Sequence, residues 1–209
     1  MLRGLYAITP ECADTGRLVG LVAAALAGGA RLVQYRSKAP DEALRLEQAI
    51  ALRELCRRSS VPLIVNDSLD LASRSGADGV HIGRDDGTVA EARRMLGAAA
   101  IIGVSCYDRL DLAHDAEAAG ADYVAFGSFF ASAIKPGAPR PSIDLISRAC
   151  RRLRTPIAAI GGITRDNGGR LIEAGADMIA VISAIFSAPD VQHAAGELQA
   201  LFNREATGS

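Results

Sequence analysis

The chain has 209 residues, 49% of them hydrophobic, and a formal net charge of −1. This length suits one compact domain over residues 1–209, with a short disordered tail expected at about 204–209. Because 23 basic residues nearly balance 24 acidic ones, a nucleic-acid-binding role is not favoured, and no apolar stretch approaches the roughly 18 residues of a membrane span.

The cysteines and histidines are scattered along the chain. Four cysteines without a C-x-x-C spacing are typical of reduced thiols, which predicts a cytoplasmic protein. Three separated histidines do not favour a zinc site, and we expect His81 to be structural. The start MLRGLYAITP lacks the pattern of a signal peptide.

Short apolar runs recur at fairly even spacing and predict eight strands. They are GLYAIT (4–9), ARLVQYR (30–36), VPLIVND (61–67), GVHIG (79–83), AIIGVS (100–105), DYVAFGS (122–128), PIAAIGG (156–162) and MIAVIS (178–183). The segments between them have helical periodicity; in 41–58, Leu44, Ala51, Leu52 and Leu55 recur at three- and four-residue steps. SGAD (75–78) and AGAD (119–122 and 174–177) predict helix ends that turn into strands.

Continuous apolar strands that alternate with helices indicate a parallel sheet covered by helices. Eight such units predict a single (β/α)₈ TIM barrel. A Rossmann fold is disfavoured because YAITPECADTG, and no G-x-G-x-x-G, follows the first run. The active site of a TIM barrel lies at the carboxyl ends of the strands, so the last residues of each run are the candidates.

The second run ends with three polar residues of one parity, Gln34, Arg36 and Lys38, in phase with Leu32. Since alternate strand residues point to one face, these side chains should point the same way. An amide and two cations form a site for a polyanion, because Arg can bind phosphate in a bidentate manner.

Acidic residues end the next two runs, with Asn66-Asp67 on the third and Asp85-Asp86 on the fourth. Asp67 taken alone would suit a helix N-cap. Acids beside a cationic strand end suit a hard divalent cation instead, because Mg²⁺ binds one or two carboxylates together with phosphate oxygens. We therefore interpret Asp67 as a metal ligand, Asn66 as a substrate contact and Ser68 as the cap.

The later strand ends supply small and flexible groups. Ser105 ends the fifth run, and the Gly- and Pro-rich segment 127–141, which contains Lys135, is typical of a mobile lid. Gly161-Gly162 and Ile182-Ser183 end the last two runs. Loops after strands seven and eight often bind phosphate through backbone N–H groups, so we predict a second anion site there.

A set of motifs follows in order from about residue 4 to 187: LYAITP, VQYRSK, VNDSLDLA, GVHIGRDD, GVS, FGSFF with a later lysine, AIGGIT and VISAIF. In this order they resemble the thiamine-phosphate synthase family. The resemblance implies a TIM barrel that joins an aminomethylpyrimidine diphosphate to a thiazole phosphate, or its carboxylated tautomer. Pyrophosphate would be released with the help of one Mg²⁺ per active site.

The resemblance also implies roles for individual residues. Those that would bind the pyrimidine diphosphate are Gln34, Arg36, Lys38, Asn66, Ser105 and Lys135, with Arg36, Lys38, Ser105 and Lys135 acting in catalysis. Asp67 and Asp86 would bind Mg²⁺. Those that would hold the thiazole phosphate are Ser132, Ile134, Gly162, Ile182 and Ser183. Two positions depart from the family pattern: Ile134 replaces a usual threonine, and Ser128 replaces a usual proline.

Three alternatives stay open at this stage. A thiazole tautomerase resembles the synthase without its transferase activity, and a phosphosugar epimerase would use the late phosphate site alone. A non-catalytic barrel could bind thiamine precursors as a sensor. The sequence leaves the oligomeric state undecided, with a homodimer among the options.

Overall fold

A computed structural model describes residues 2–131 and 141–203 of the chain. Within them, eight parallel strands close into a barrel in sequence order, which confirms the predicted TIM barrel. The strands are β1 (Gly4–Ile8), β2 (Leu32–Tyr35), β3 (Leu63–Asn66), β4 (Gly79–Ile82), β5 (Ile101–Tyr107), β6 (Tyr123–Phe126), β7 (Ile157–Ile160) and β8 (Met178–Val181).

The helices cover the outside of the barrel. In the described residues they are α1 (Thr15–Ala27), α2 (Glu42–Arg58), α3 (Leu69–Ser75), α4 (Val89–Leu96), α5 (Leu110–Ala118), α6 (Asp144–Cys150), α7 (Arg165–Glu173), α8 (Ser183–Phe186) and α9 (Val191–Ala200). No helix in these described ranges is long and apolar enough to cross a membrane.

Strand alternation divides the buried side chains into two groups. One face of each strand packs under the helices, as Val33, Val65 and Val124 do. The opposite face fills the barrel interior, where Leu32, Ile64 and other residues form a smaller cluster. Leu32 therefore points inward, as do the residues of its parity at the end of β2.

Helix α2 begins close to where the periodicity predicted, with Asp41 as its N-cap. Its buried face differs from the expected one: Gln48, Ala49, Leu52 and Cys56 are buried, whereas of the four predicted residues only Leu52 is. The polar Gln48 can lie inside because its side chain accepts from the Tyr35 hydroxyl at 2.8 Å and donates to a backbone carbonyl at 2.9 Å. A pattern based on apolar residues alone does not detect such a position.

The near-repeated SGAD and AGAD segments form the same hydrogen bond at the amino-terminal end of the barrel. In each, the Asp side chain accepts a hydrogen bond from the backbone N–H of the first or second residue of the preceding strand. The pairs are Asp78 with Leu63 (2.8 Å), Asp122 with Ile102 (2.8 Å) and Asp177 with Ile157 (2.9 Å). These acids satisfy backbone donors at strand starts, so they stabilise the end of the barrel opposite the predicted site.

Candidate active site

The end of β2 places its polar residues at successive depths in the barrel. Gln34 is 3% exposed and donates to the Tyr6 hydroxyl at 2.6 Å, so it lies inside the barrel below the mouth. Arg36 and Lys38 lie above it and line a cavity of about 330 Å³ at the mouth. The predicted common parity of the three residues agrees with this arrangement, and the two cations share one recess.

An acidic residue that the sequence reasoning missed lies against these cations. The Glu11 carboxylate accepts from the Arg36 guanidinium at 3.1 Å and from the Lys38 backbone N–H at 3.0 Å. Exposed ion pairs of this kind contribute about 0–1 kcal/mol, so an incoming diphosphate can replace Glu11 at low cost. No pattern along the sequence marks this pair; it follows only from the barrel, in which β1 pairs with β2 and Glu11 lies three residues past the end of β1.

The neighbouring strand β3 ends in Asn66, and Asp67 follows with φ of +63°. Ser68 is the N-cap of α3, and its side chain accepts from the backbone N–H of Leu71. This arrangement confirms that Asp67 is not the cap. A left-handed backbone is uncommon for residues other than glycine but is most accessible to Asn and Asp. It interrupts the alternation of the strand at the point where the chain enters α3.

Asp67 and Asp86 lie side by side at the mouth. Although Asp67 still reaches solvent, desolvation by the surrounding protein and the charge of Asp86 raise the pKa of Asp67 from 3.8 to about 6. Asp86 turns back toward the barrel, and its Oδ2 accepts from the Gly83 backbone N–H at 2.8 Å. Its neighbour Asp85 is exposed.

This carboxylate pair has the chemistry of a site for a hard cation. Desolvation contributes most to the raised pKa of Asp67, and repulsion between the two adjacent carboxylates adds to it. In the described part of the chain no group of three or more His, Cys, Asp or Glu residues could hold a metal. A cation here would therefore have two protein carboxylates and take its remaining ligands from substrate oxygens and water, as Mg²⁺ commonly does.

Ser105 lies on β5 and is held from below by His81. The His81 Nε2 is 2.8 Å from the Ser105 hydroxyl, and its Nδ1 is 3.0 Å from the Tyr123 hydroxyl. His81 is 7% exposed and lies inside the barrel, in agreement with the expectation that it is structural. The sequence reasoning assigned it no link to Ser105.

The glycines after β7 lie against the chain that follows β6. At Gly162, where φ is +60°, an added Cβ would be 2.3 Å from the Ala131 carbonyl oxygen. The Phe130 N–H donates to the Gly161 carbonyl at 3.0 Å. Glycine was expected to admit a phosphate, but in the structure the close approach is made by the protein's own backbone. Gly162 thus fixes the start of the segment that the sequence predicts to be a lid.

Ile182 and Ser183 line the same cavity as Arg36 and Lys38, so the structure brings two of the diphosphate candidates together with part of the second anion site. Gly162, Asn66, Ser105 and the two aspartates are not among the residues that line that cavity. Ser132, Ile134 and Lys135 lie outside the described residues.

Comparisons with known proteins show the family of the chain. The family model for thiamine monophosphate synthase matches residues 5–185. A thiamine-phosphate synthase from Thiobacillus denitrificans is 57% identical over 202 residues, which cover 97% of this chain and 96% of the relative. One from Nitrosospira multiformis is 53% identical over 204 residues, covering 98% and 87%.

A solved structure is also similar. The thiamine phosphate pyrophosphorylase from Pyrococcus furiosus superposes with a TM-score of 0.86 and 35% identity, covering 98% of this chain and 97% of that one. The likeness therefore extends over nearly the whole of both chains. The chain belongs to the thiamine monophosphate synthase family.

Proposed function

We propose that this barrel joins an aminomethylpyrimidine diphosphate to a thiazole phosphate, forming thiamine phosphate and releasing pyrophosphate. The observation that supports it most directly is the meeting of a cationic strand end with a carboxylate pair at one barrel mouth. The relatives named thiamine-phosphate synthase, at 57% and 53% identity over nearly the whole chain, support the same transferase activity.

The pyrimidine diphosphate would occupy the side of the mouth formed by β2, β3 and β5. Arg36 and Lys38 line the recess and can neutralise the charge of the departing diphosphate. Gln34, Asn66 and Ser105 would hold the pyrimidine, since their neutral polar groups lie at or below the ends of these strands. Lys135, outside the described residues, is proposed as a third cation.

Asp67 and Asp86 are the residues proposed to hold one Mg²⁺. The raised pKa of Asp67 supports the assignment, because a bound cation would relieve the repulsion between the two carboxylates. When bound, Mg²⁺ would supply positive charge against the diphosphate. Both residues would be ionised during the reaction.

The thiazole phosphate would bind at the ends of β7 and β8, near Gly162, Ile182 and Ser183. Ile182 and Ser183 share a recess with the cations of β2, so the two substrates would lie next to each other. Ser132 and Ile134 are proposed to complete this site from outside the described residues.

The chemistry can proceed by departure of the diphosphate, after which the thiazole nitrogen attacks the methylene carbon. An electron-rich aminopyrimidine can stabilise that carbon as a cation, so the protein mainly positions the substrates and stabilises charge. A cysteine nucleophile is not favoured near Ser105, because burial raises the pKa of the Cys106 thiol to about 12. A cytoplasmic location and a homodimer stay predictions.

The deciding experiment measures pyrophosphate release by the purified protein with both substrates and with each alone. We expect pyrophosphate and thiamine phosphate in equal amounts with both substrates, and loss of both products when EDTA removes divalent cations. A thiazole tautomerase would convert its substrate without releasing pyrophosphate. A sensor would bind the precursors in a calorimeter and turn over neither. Either result would contradict the proposal.

A further inference from the structure

A chain of hydrogen bonds crosses the interior of the barrel beneath the mouth. Gln34 Nε2 lies 2.6 Å from the Tyr6 hydroxyl, which lies 2.7 Å from the Tyr123 hydroxyl. The Tyr123 hydroxyl lies 3.0 Å from His81 Nδ1, and His81 Nε2 lies 2.8 Å from the Ser105 hydroxyl. These hydrogen bonds therefore connect β2 to β5, and each of these strands carries one of the proposed pyrimidine contacts, Gln34 or Ser105.

This polar layer is unusual for its place. The interior of such a barrel is commonly filled by branched aliphatic side chains, which need no partners. Here Tyr6, Tyr123 and His81 are at most 7% exposed, and a buried polar group without a partner is costly. Apolar side chains could fill the same space without needing hydrogen-bond partners. The presence of these polar residues therefore suggests a role besides filling the barrel interior.

The hydrogen bonds of this layer can run in either of two directions, because each hydroxyl can both donate and accept. Gln34 donates to the Tyr6 hydroxyl in both. In one direction the Tyr6 hydroxyl donates to Tyr123 and Tyr123 donates to His81 Nδ1, so that a neutral imidazole carries its hydrogen on Nε2. The Ser105 oxygen accepts that hydrogen. Its own O–H is left to donate elsewhere.

The surroundings hold this arrangement rigid. Burial raises the pKa of both Tyr6 and Tyr123, so each stays a phenol able to donate. The His81 ring stacks on Tyr123 with centroids 5.5 Å apart, and the Tyr6 and Tyr123 rings meet edge to face at 5.8 Å. The His81 carbonyl also accepts from the Asp67 N–H at 2.8 Å.

We propose that His81, oriented by Tyr123, is a positioning residue that presents the Ser105 hydroxyl as a hydrogen-bond donor to the pyrimidine diphosphate. His81 does not touch the substrate and acts through Ser105. The inference rests on the proposed function only in assigning Ser105 a substrate contact. It adds that the tautomer of a buried imidazole decides whether that serine donates or accepts.

Two substitutions of His81 distinguish the roles of its two ring nitrogens. In His81→Gln the amide nitrogen can take the place of Nε2 and still donate to Ser105. In His81→Asn the shorter amide can reach only the place of Nδ1, so Ser105 loses its partner. We expect kcat to stay within about threefold of the parent for Gln and to fall about tenfold or more for Asn. Tyr35→Phe, which removes a buried hydroxyl bonded to Gln48 outside the barrel interior, is the matched control and should leave kcat unchanged.

A double-mutant cycle tests whether His81 acts through Ser105. If it does, the variant with both His81→Asn and Ser105→Ala should be no slower than Ser105→Ala alone. A double variant slowed further, by the factor that His81→Asn costs in the parent, would overturn the proposal, because His81 would then act by another route. Thermal melts identify variants that fail to fold.

A measurement on the unmodified protein does not depend on turnover. The chain has three histidines, so ¹⁵N spectra of histidine-labelled protein can be assigned with the His81→Gln variant. We expect the His81 hydrogen on Nε2 in the parent, and Tyr123→Phe should shift the ring toward the other tautomer. A hydrogen on Nδ1 in the parent would reverse the chain and overturn the proposal. If the parent shows the expected tautomer but releases no pyrophosphate, the proposed function fails while the geometry stands.

Discussion

Replacing Asp67 by Asn changes the charge of the proposed metal site and little else. Asn adopts the left-handed backbone of position 67 about as readily as Asp does, so its φ of +63° adds no new strain. The cap of α3 also survives, because Ser68 supplies it. The substitution therefore separates a metal ligand from a structural acid.

The effect on stability follows from the pKa of Asp67. A rise from 3.8 to about 6 means that the folded protein holds this proton more tightly than the unfolded chain. Its contribution to stability is therefore present below about pH 4 and is lost as the pH rises through about 6. The full rise would correspond to about 3 kcal/mol, but Asp67 is exposed, and solvent screening reduces the expected effect to roughly 1 kcal/mol.

Metal-free Asp67→Asn protein should thus be more stable than the parent at pH 8, with Tm higher by about 2–4 °C. Near pH 4 the two proteins should melt alike. Activity should move the opposite way: we expect most of it to be lost, and far more Mg²⁺ to be needed to recover any. Asp86→Asn should lose activity likewise, and the double variant should be little worse than either, since both act through one ion.

Calorimetric melts across pH and titration of activity with Mg²⁺ provide the two readouts. Asp85→Asn is the matched control, because it removes the same charge from an exposed residue next to Asp86 in the sequence. It should keep the parental Mg²⁺ dependence. An Asp67→Asn enzyme with normal activity at low Mg²⁺, or one destabilised at pH 8, would refute the reasoning.

Three further substitutions test other parts of the mouth. Arg36→Ala should lower kcat/KM for the pyrimidine diphosphate by about a hundredfold in steady-state assays. The control Arg74→Ala, on an exposed helix face, should leave kcat/KM unchanged. If both variants had the same kinetics, Arg36 would not belong to the site. Glu11→Gln should lower KM for that substrate several-fold, because a carboxylate no longer competes for Arg36; a raised KM would show that Glu11 assists binding. Gly162→Ala should destabilise the protein by about 2–4 kcal/mol in urea unfolding, since its Cβ would strike the Ala131 carbonyl, and parental stability would contradict that contact.

Much of the fold could be predicted from the sequence because barrel strands obey a simple rule. Strands buried on both faces are continuous apolar runs, and eight of them were visible. The parity of Gln34, Arg36 and Lys38 and the cap at Ser68 also followed from local geometry. These features depend on spacing along one strand or one turn.

What escaped prediction depends on contacts between strands far apart in sequence. Glu11 meets Arg36 across 25 positions, and Tyr6 meets Tyr123 across 117. No periodicity encodes such pairs, because each residue alone has an ordinary explanation: a loop acid, or a buried aromatic ring. Gln48 shows the same limit on a helix, since its partner Tyr35 lies on another element.

The acidic residues at the two ends of the barrel differ in whether they stabilise the fold. At the amino-terminal end, Asp78, Asp122 and Asp177 each satisfy a strand N–H. At the carboxyl end, Asp67 takes a left-handed backbone and stands beside a second carboxylate. Such features cost free energy in the free protein and persist only when the surroundings enforce them.

The position of these unfavourable features supports the assignment of the site without reference to related proteins. A positive φ alone does not mark the mouth, because Ser60, which precedes β3 at the amino-terminal end, has a φ of +53°. Asp67 differs from Ser60 because it also stands beside a second carboxylate, at the mouth that carries the cationic recess and the buried polar layer. A cation between the carboxylates would reduce their repulsion, and a diphosphate would offer Arg36 a more strongly charged partner than Glu11. We therefore expect charged ligands at the mouth to stabilise the protein when they bind.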